Sequence, residues 1–110
     1  MLDVMTDRRS SPRYALILSA EVSDKASLAK LAGRTSDISR TGCYIDTLNS
    51  IPAGTAVVVR LQHEQEFFEA DARVVYVSPG LGMGLVFSPT ITPAQQAMLD
   101  RWLQEVAKAK

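Results

Sequence analysis

Apolar and polar residues alternate with a period of two in several short stretches of this chain, and this pattern limits the possible folds more than any other. Successive side chains of a β-strand point to opposite faces, so the period is typical of a strand with one buried face. The first such stretch spans residues 14–23, where one parity carries Tyr14, Leu16, Leu18, Ala20 and Val22. From alternation and from runs of residues that favour strands we predict five more strands, over residues 34–38, 42–47, 57–62, 67–78 and 83–87. Six short strands separated by glycine and proline turns predict a mainly all-β fold, an antiparallel sheet that closes on itself or nearly so.

Two segments depart from this alternation. Residues 24–32 fit either a helical turn or a loop. Near the C-terminus, Thr92 and Pro93 supply a capping residue and a proline for the first helical position, and Gln95 is placed to close a capping box. We therefore predict a helix over residues 92–107 that packs against the barrel. Its apolar residues repeat at helical spacing and form one stripe, made of Met98, Leu99, Trp102, Leu103 and Val106.

The length and charge of the chain bound its organisation. A chain of 110 residues suits one core better than two. We expect a flexible tail over residues 1–7 and a single domain over residues 8–110, with a basic loop at 8–13 and the barrel at 14–88. Twelve basic and twelve acidic side chains give a net charge of zero, so no overall attraction to nucleic acid or membrane follows. No apolar run is long enough to cross a bilayer and no signal peptide is visible, so we expect a cytoplasmic protein without membrane insertion.

The residues needed for catalysis are scarce. The chain has one histidine and one cysteine, which excludes an internal disulfide and a zinc cluster. We expect His63 to be a solvated residue in the link between two strands, and Cys43 to fill space in the core. Because no Ser-His-Asp set or phosphate-binding loop can be assembled either, we predict a protein that is not an enzyme, without catalytic residues, metal or cofactor.

The first motif with chemical content is a pair of arginines, Arg9 and Arg13, with Arg8 directly before them. Pro12 disfavours helix at the residue before it, so this stretch should be extended or looped. Two guanidinium groups this close can bind one polyanionic ligand by gripping phosphate, pairing with a guanine edge or stacking on a purine. The alternative is a solvated tail without a ligand.

The second motif lies at the end of the second predicted strand, where Asp37, Ser39 and Gly42 are spaced as Asp-x-Ser-x-x-Gly. Asp37 and Ser39 share one parity and can point to the same face of the strand. A carboxylate there can accept from the N–H donors of a guanine edge, and the glycine permits a turn and the approach of a flat base. The alternative is a turn in which both side chains bond only to their own backbone. We expect Arg40 to be a solvated turn residue.

Taken together and in this order, Arg-x-x-x-Arg before the first strand and Asp-x-Ser-x-x-Gly at the end of the second resemble the PilZ domain family. The late strand Gly-Met-Gly-Leu-Val-Phe and the C-terminal amphipathic helix extend the resemblance over nearly the whole chain. PilZ domains are bacterial receptors for the second messenger cyclic di-GMP. The resemblance implies a six-stranded antiparallel β-barrel with a C-terminal helix and a ligand bound on the outer surface of the barrel.

By this resemblance the ligand is cyclic di-GMP and its binding residues are Arg8, Arg9, Arg13, Asp37, Ser39 and Gly42. Arg9 and Arg13 would take phosphates and guanine edges from a mobile loop, while Asp37 and Ser39 would contact a guanine from the barrel. An arginine at the position of Arg8 tends, in this family, to accompany two mutually stacked ligand molecules. We expect ordering of the loop over the ligand to signal to a downstream protein that the sequence does not identify.

Two other functions remain open. A PilZ-like adaptor would bind proteins and no nucleotide, although it would not need all five motif residues. A DNA or RNA binder would use the basic arm, but the net charge of zero and the lack of an aromatic stacking platform beside the arginines argue against it. We expect a monomer, since the helix shows no second apolar stripe.

Overall fold

The strands of the protein form a closed antiparallel barrel in a computed structural model that describes residues 12–108. Hydrogen-bonded neighbours follow the order first, second, third, sixth, fifth, fourth, and the fourth strand pairs back with the first. The predicted six-stranded β-barrel is confirmed. The strands are β1 (Ser19–Asp24), β2 (Lys30–Ile38), β3 (Gly42–Asp46), β4 (Ala56–His63), β5 (Glu66–Ser78) and β6 (Gly82–Phe87).

The core of the barrel is built by the alternation seen in the sequence. In β1, Ala20 and Val22 are buried while Ser19 and Glu21 are exposed. The same alternation buries one parity in β4 and most of β5, so the side chains on that parity meet inside the barrel. The largest side chains with no exposed surface include Phe68, Ile38, Ile45, Leu61, Met83 and Trp102.

The first strand begins later than the alternation suggests. Tyr14 pairs with Ile38 only as an isolated bridge, and β1 starts at Ser19. Between them the chain is held by the buried hydroxyl of Thr35, which donates to the carbonyl oxygen of Leu16 at 2.6 Å and accepts from the N–H of Leu18 at 2.8 Å. The Thr35 side chain thus replaces part of the backbone hydrogen bonding between strands. An alternating sequence pattern does not predict this replacement.

The segment that the sequence left open, residues 24–32, is the hairpin between β1 and β2. The carboxylate of Asp24 accepts from the backbone N–H groups of Ala26 and Ser27, and Leu28 takes a positive φ of 66°. The chain then re-enters the sheet at Lys30, four residues before the predicted start of this strand. The turn is therefore shorter than expected and β2 is longer.

Two register shifts interrupt the barrel, one in β2 and one in β5. The β2–β3 pairing shifts by one residue between Thr35 and Asp37, and the β5–β6 pairing shifts in the same way between Val74 and Tyr76. Each shift is a β-bulge, in which an extra residue reverses the face to which the following side chains point. Simple alternation would send Asp37 and Tyr76 into the core with Thr35 and Val74, but both lie outside it.

The C-terminal helix, α1 (Pro93–Lys108), begins as the sequence predicts. The hydroxyl of Thr92 accepts from the N–H of Gln95 at 3.2 Å, which is the expected N-cap bond. The predicted capping box is wrong in its second half, because the Gln95 side chain accepts from the N–H of Glu69 on β5. The bond to β5 docks the first turn of the helix onto the barrel.

The helix packs its apolar stripe on the end of the barrel where β4 turns into β5. Leu99, Trp102 and Leu103 are buried and belong to the same core as the strands. The indole N–H of Trp102 donates to Glu66 at 2.8 Å, and the ring of His63 meets the Trp102 ring edge-on at 5.2 Å between centroids. The expectation that His63 is a solvated link residue is wrong, because it ends β4 and packs on the helix.

Candidate ligand-binding site

The two sequence motifs meet at an ion pair between Arg13 and Asp37. The Nε and Nη2 groups of Arg13 donate to the same carboxylate oxygen, Oδ1 of Asp37, at 3.1 and 2.8 Å. The side chains are 50% and 38% exposed, so both can be reached from solvent. The bulge in β2 makes this contact possible, since it turns Asp37 out of the core. Residues 24 positions apart in the chain therefore form one charged group.

Ser39 lies differently from Asp37. It follows the last residue of β2 and is only 1% exposed. Its hydroxyl accepts from the N–H of Thr41 at 3.2 Å and donates to the carbonyl oxygen of Gly42 at 3.3 Å. The expectation that Asp37 and Ser39 share one outward face is wrong in this structure, because Ser39 is folded into the β2–β3 turn. A contact between its hydroxyl and a guanine stays a prediction.

Gly42 is needed at its position because β3 and β6 approach each other closely there. It is the first residue of β3 and pairs with Val86 of β6. A Cβ at this position would overlap the backbone carbonyl oxygen of Leu85, so any side chain would push β3 and β6 apart. The glycine thus keeps the end of the β2–β3 turn close to β6.

An open cavity of about 390 Å³ adjoins the ion pair on the outer surface of the barrel. Arg13 is the charged residue that lines it, Thr41 and Gly42 supply the end of the turn, and Tyr76 and Val86 supply ring and apolar surface. A cation beside an apolar surface suits an anion that also carries a flat apolar group.

Tyr76 is the site residue that sequence reasoning misses. The sequence predicts no aromatic stacking platform beside the arginines, but the fold brings the Tyr76 ring into the cavity that Arg13 lines. The expectation that no aromatic ring lies near the arginines for stacking is therefore wrong for Arg13. The available signal was weak, because the alternation of β5 places Tyr76 among the core residues and nothing in the sequence marks the bulge at Val75.

Arg40, inside the second motif, is an exposed turn residue as the sequence predicts, but its side chain also pairs with the C-terminal helix. Its Nε and Nη2 groups donate to the two carboxylate oxygens of Asp100 on α1, at 2.8 and 3.3 Å. The hydrogen bond from Arg40 is the main reason that the pKa of Asp100 is lowered, and the same bond raises the pKa of Arg40. The motif turn is thus tied to the C-terminal helix.

The remaining candidates are a buried thiol and two arginines. Cys43 is fully buried as predicted, and burial raises the pKa of its thiol to about 12, which keeps it protonated and unreactive at neutral pH. Arg8 and Arg9 lie outside the described residues. Between residues 12 and 108, no group of three or more metal-ligating side chains comes together, and no helix there is long and apolar enough to cross a membrane.

The fold is a small closed β-barrel with an open cavity on its outer surface, beside Arg13 and the end of the β2–β3 turn. The family model of the PilZ domain matches residues 7–105. The chain therefore belongs to the PilZ domain family, a family of cyclic di-GMP receptors, and the resemblance drawn from the two motifs is confirmed.

Solved structures of PilZ proteins share this fold. The inhibitor of motility MotI (DgrA) from Bacillus subtilis superposes with a TM-score of 0.78 at 18% identity, over 94% of this chain and 53% of that one. The PilZ domain of YcgR from Escherichia coli, solved with cyclic di-GMP, gives 0.75 at 17% identity, over 93% of each chain. The PilZ domain of CeSA from a cellulose-synthesising bacterium gives 0.68 at 19% identity, over 88% of this chain and 99% of that one.

These likenesses establish the shared fold. The chain spans about half the length of the Bacillus subtilis protein and nearly all of the two isolated PilZ domains. No curated protein sequence matches the chain.

Proposed function

We propose that this protein is a receptor for cyclic di-GMP and that it binds the ligand in the cavity beside Arg13 and Asp37. The observation that carries the proposal is the meeting of the two motifs. An arginine from the first motif and a carboxylate from the second form one exposed ion pair at the edge of a cavity of about 390 Å³. A cation for phosphate and an acceptor for guanine are thus side by side, on a domain of a cyclic di-GMP receptor family.

Arginines provide the affinity for the phosphates in this proposal. The net charge of the chain is zero, so a dianionic dinucleotide must be held by local cations. Arg13 borders the cavity, and Arg9 lies four residues before it in the chain. Ordering of residues 8–13 over the ligand is then the response to binding. Arg8 adds a third cation and occupies the position that, in this family, accompanies two stacked ligand molecules, so the proposal includes such a ligand dimer.

The barrel provides the specificity. Asp37 accepts from the N–H donors of a guanine edge, and adenine would leave the carboxylate without those donors. Ser39 is buried and Gly42 touches β6, so we assign them to shaping the β2–β3 turn that follows Asp37. A direct contact of Ser39 with guanine would require that turn to open.

The remaining features of the proposal concern the domain and its output. We propose one domain over residues 8–110, in the cytoplasm of a bacterium, that passes its signal to an unidentified downstream protein. No catalytic residue, cofactor, nucleic acid or membrane insertion belongs to this function. The helix connection through Arg40 and Asp100 offers one path from the motif turn to a protein surface.

Isothermal titration calorimetry of the purified protein tests this function. We expect tight binding of cyclic di-GMP and much weaker binding of GMP and of cyclic di-AMP. Arg9→Ala and Arg13→Ala should each weaken binding by about 1.5–3 kcal/mol, as losses of charge-assisted hydrogen bonds do. Arg60→Ala is the matched control, because Arg60 lies over the ring of Phe67 on another part of the outer surface and should not affect binding.

The same titration can reject the proposal. If folded wild-type protein shows no heat with cyclic di-GMP at high micromolar concentration, the protein is not a receptor, and the adaptor function becomes the better account. If Arg9→Ala binds as tightly as wild type, the role of the basic loop is wrong. A gel shift with DNA or RNA that weakens with salt would instead support a nucleic-acid binder.

A further inference from the structure

One row of outward-facing residues crosses four strands beside the ion pair. Register pairs Asp37 of β2 with Tyr44 of β3, Tyr44 with Gly84 of β6, and Gly84 with Tyr76 of β5. The two ends of this row are the residues that directly follow the two bulges. Bulges are frequent next to binding sites because they re-aim a side chain. Here one bulge aims a carboxylate outward and the other aims a tyrosine outward, at opposite ends of the same row.

The ring of Tyr76 rests on a glycine. A Cβ at Gly84 would overlap the Tyr76 ring, so the absence of a side chain there lets the ring lie against the backbone of β6. Tyr76 is still 48% exposed, and it lines the same cavity as Arg13. The cavity thus has a supported aromatic ring and a guanidinium group on its walls.

Tyr44 is arranged in a similar way but serves no cavity. Its ring covers Gly82, as a Cβ there would overlap it, and its centroid lies 6.0 Å from that of Tyr76. Tyr44 is not among the residues that line the cavity beside Arg13. Tyr76 can therefore contact a ligand in that cavity, whereas Tyr44 does not line it.

We propose that Tyr76 is the stacking surface for a guanine base of the ligand, while Arg13 holds a phosphate of the same molecule. This inference rests on the proposed function and adds a binding residue that belongs to neither motif. An aromatic ring with one face supported and the other open accepts a base without bonding to its edge, and Asp37, at the other end of the row, stays available to the edge of a second guanine.

The test compares Tyr76→Leu, Tyr76→Phe and Tyr44→Leu by calorimetry with cyclic di-GMP. Leucine keeps apolar bulk but has no π face, so Tyr76→Leu should raise the Kd roughly 5- to 150-fold, the range seen when a stacking ring is removed. Tyr76→Phe keeps the ring and should bind within about threefold of wild type, as should Tyr44→Leu. Circular dichroism checks that each variant is folded.

A nuclear magnetic resonance signal separates stacking from a merely structural role. The H8 proton of a guanine stacked on a ring moves upfield, so the bound ligand should show this shift with wild type and Tyr76→Phe and lose it with Tyr76→Leu. If wild type binds the ligand and Tyr76→Leu keeps full affinity and an unchanged H8 shift, the role of Tyr76 is wrong. The proposed function is not affected by that result. Equal losses in Tyr44→Leu and Tyr76→Leu also overturn it. If wild type itself does not bind, both the proposed function and this inference are wrong.

Discussion

Two arginine–carboxylate pairs stand at the β2–β3 turn, and they differ in how completely each carboxylate is used. Arg13 and Arg40 both approach their partner to 2.8 Å. Arg40 bonds to both oxygens of Asp100, and the side chain of Gln96 adds a third bond at 3.0 Å. Arg13 bonds only to Oδ1 of Asp37, and no other side chain within residues 12–108 bonds to this carboxylate.

The two arginine–carboxylate pairs therefore differ in what they leave available for other contacts. The forked pair between Arg40 and Asp100 holds the motif turn against α1 and has little bonding capacity left. Among the described residues, the pair between Arg13 and Asp37 uses only Oδ1 of the carboxylate, and it borders an open cavity. The two pairs are alike in residue type and charge, and they differ in how many carboxylate oxygens the arginine uses. This difference separates the proposed binding pair from the structural one.

The two ion pairs should differ most in their effect on ligand affinity. Asp37→Ala should weaken binding of cyclic di-GMP by about 1.5–3 kcal/mol, because a charge-assisted acceptor for guanine is lost. Asp100→Ala removes an equally close carboxylate and should change affinity by less than threefold. Calorimetry on both variants measures the difference, and a comparable loss for Asp100→Ala would erase the distinction between the pairs.

A smaller effect concerns stability in the unliganded protein. Surface ion pairs contribute about 0.2–1 kcal/mol, with forked geometry at the upper end. A double-mutant cycle of Arg40→Ala and Asp100→Ala, read by urea unfolding, should give a coupling energy of about 1 kcal/mol. The matching cycle on Arg13 and Asp37 should give about 0.2 kcal/mol. The reverse order of the two coupling energies would contradict the structural role assigned to Arg40.

The smallest effect is on the acid side of the stability curve. The hydrogen bond from Arg40 lowers the pKa of Asp100 in the folded protein, so this carboxylate contributes stability at any pH above its unfolded pKa. That contribution is lost as the pH falls through the lowered pKa. The free energy of unfolding of wild type should exceed that of Asp100→Asn at pH 7, and the gap should shrink below about pH 5. A gap that stays constant down to pH 2 would show that the charge of Asp100 is not responsible.

The strands were largely predictable because one physical rule, burial of one face, acts along each of them. Cys43 and the alternating valines of β4 lie inside the barrel as expected. The rule fails wherever another interaction takes over. Thr35 holds residues 16–18 through its side chain and delays the start of β1, and the turn on Asp24 brings β2 into the sheet early.

The candidate site was predictable only in part, because the two β-bulges that orient its residues cannot be read from the sequence. The motifs identify Arg13 and Asp37, and the structure brings this pair together. Tyr76 and the outward turn of Asp37 depend on one extra residue in each of two strands, which changes the pairing register but leaves no pattern in the sequence. The partner of Arg40 lies 60 residues away on α1 and depends on how the helix docks.

Titration of the protein with cyclic di-GMP, followed by backbone amide chemical shifts, tests the central claim most directly. The claim predicts large shifts for Arg13, for residues 37–42 and for Tyr76 and Gly84, with the outer face of β1 and β4 unchanged at Glu21 and Arg60. Shifts confined to that other face, or none at high micromolar ligand, would contradict it.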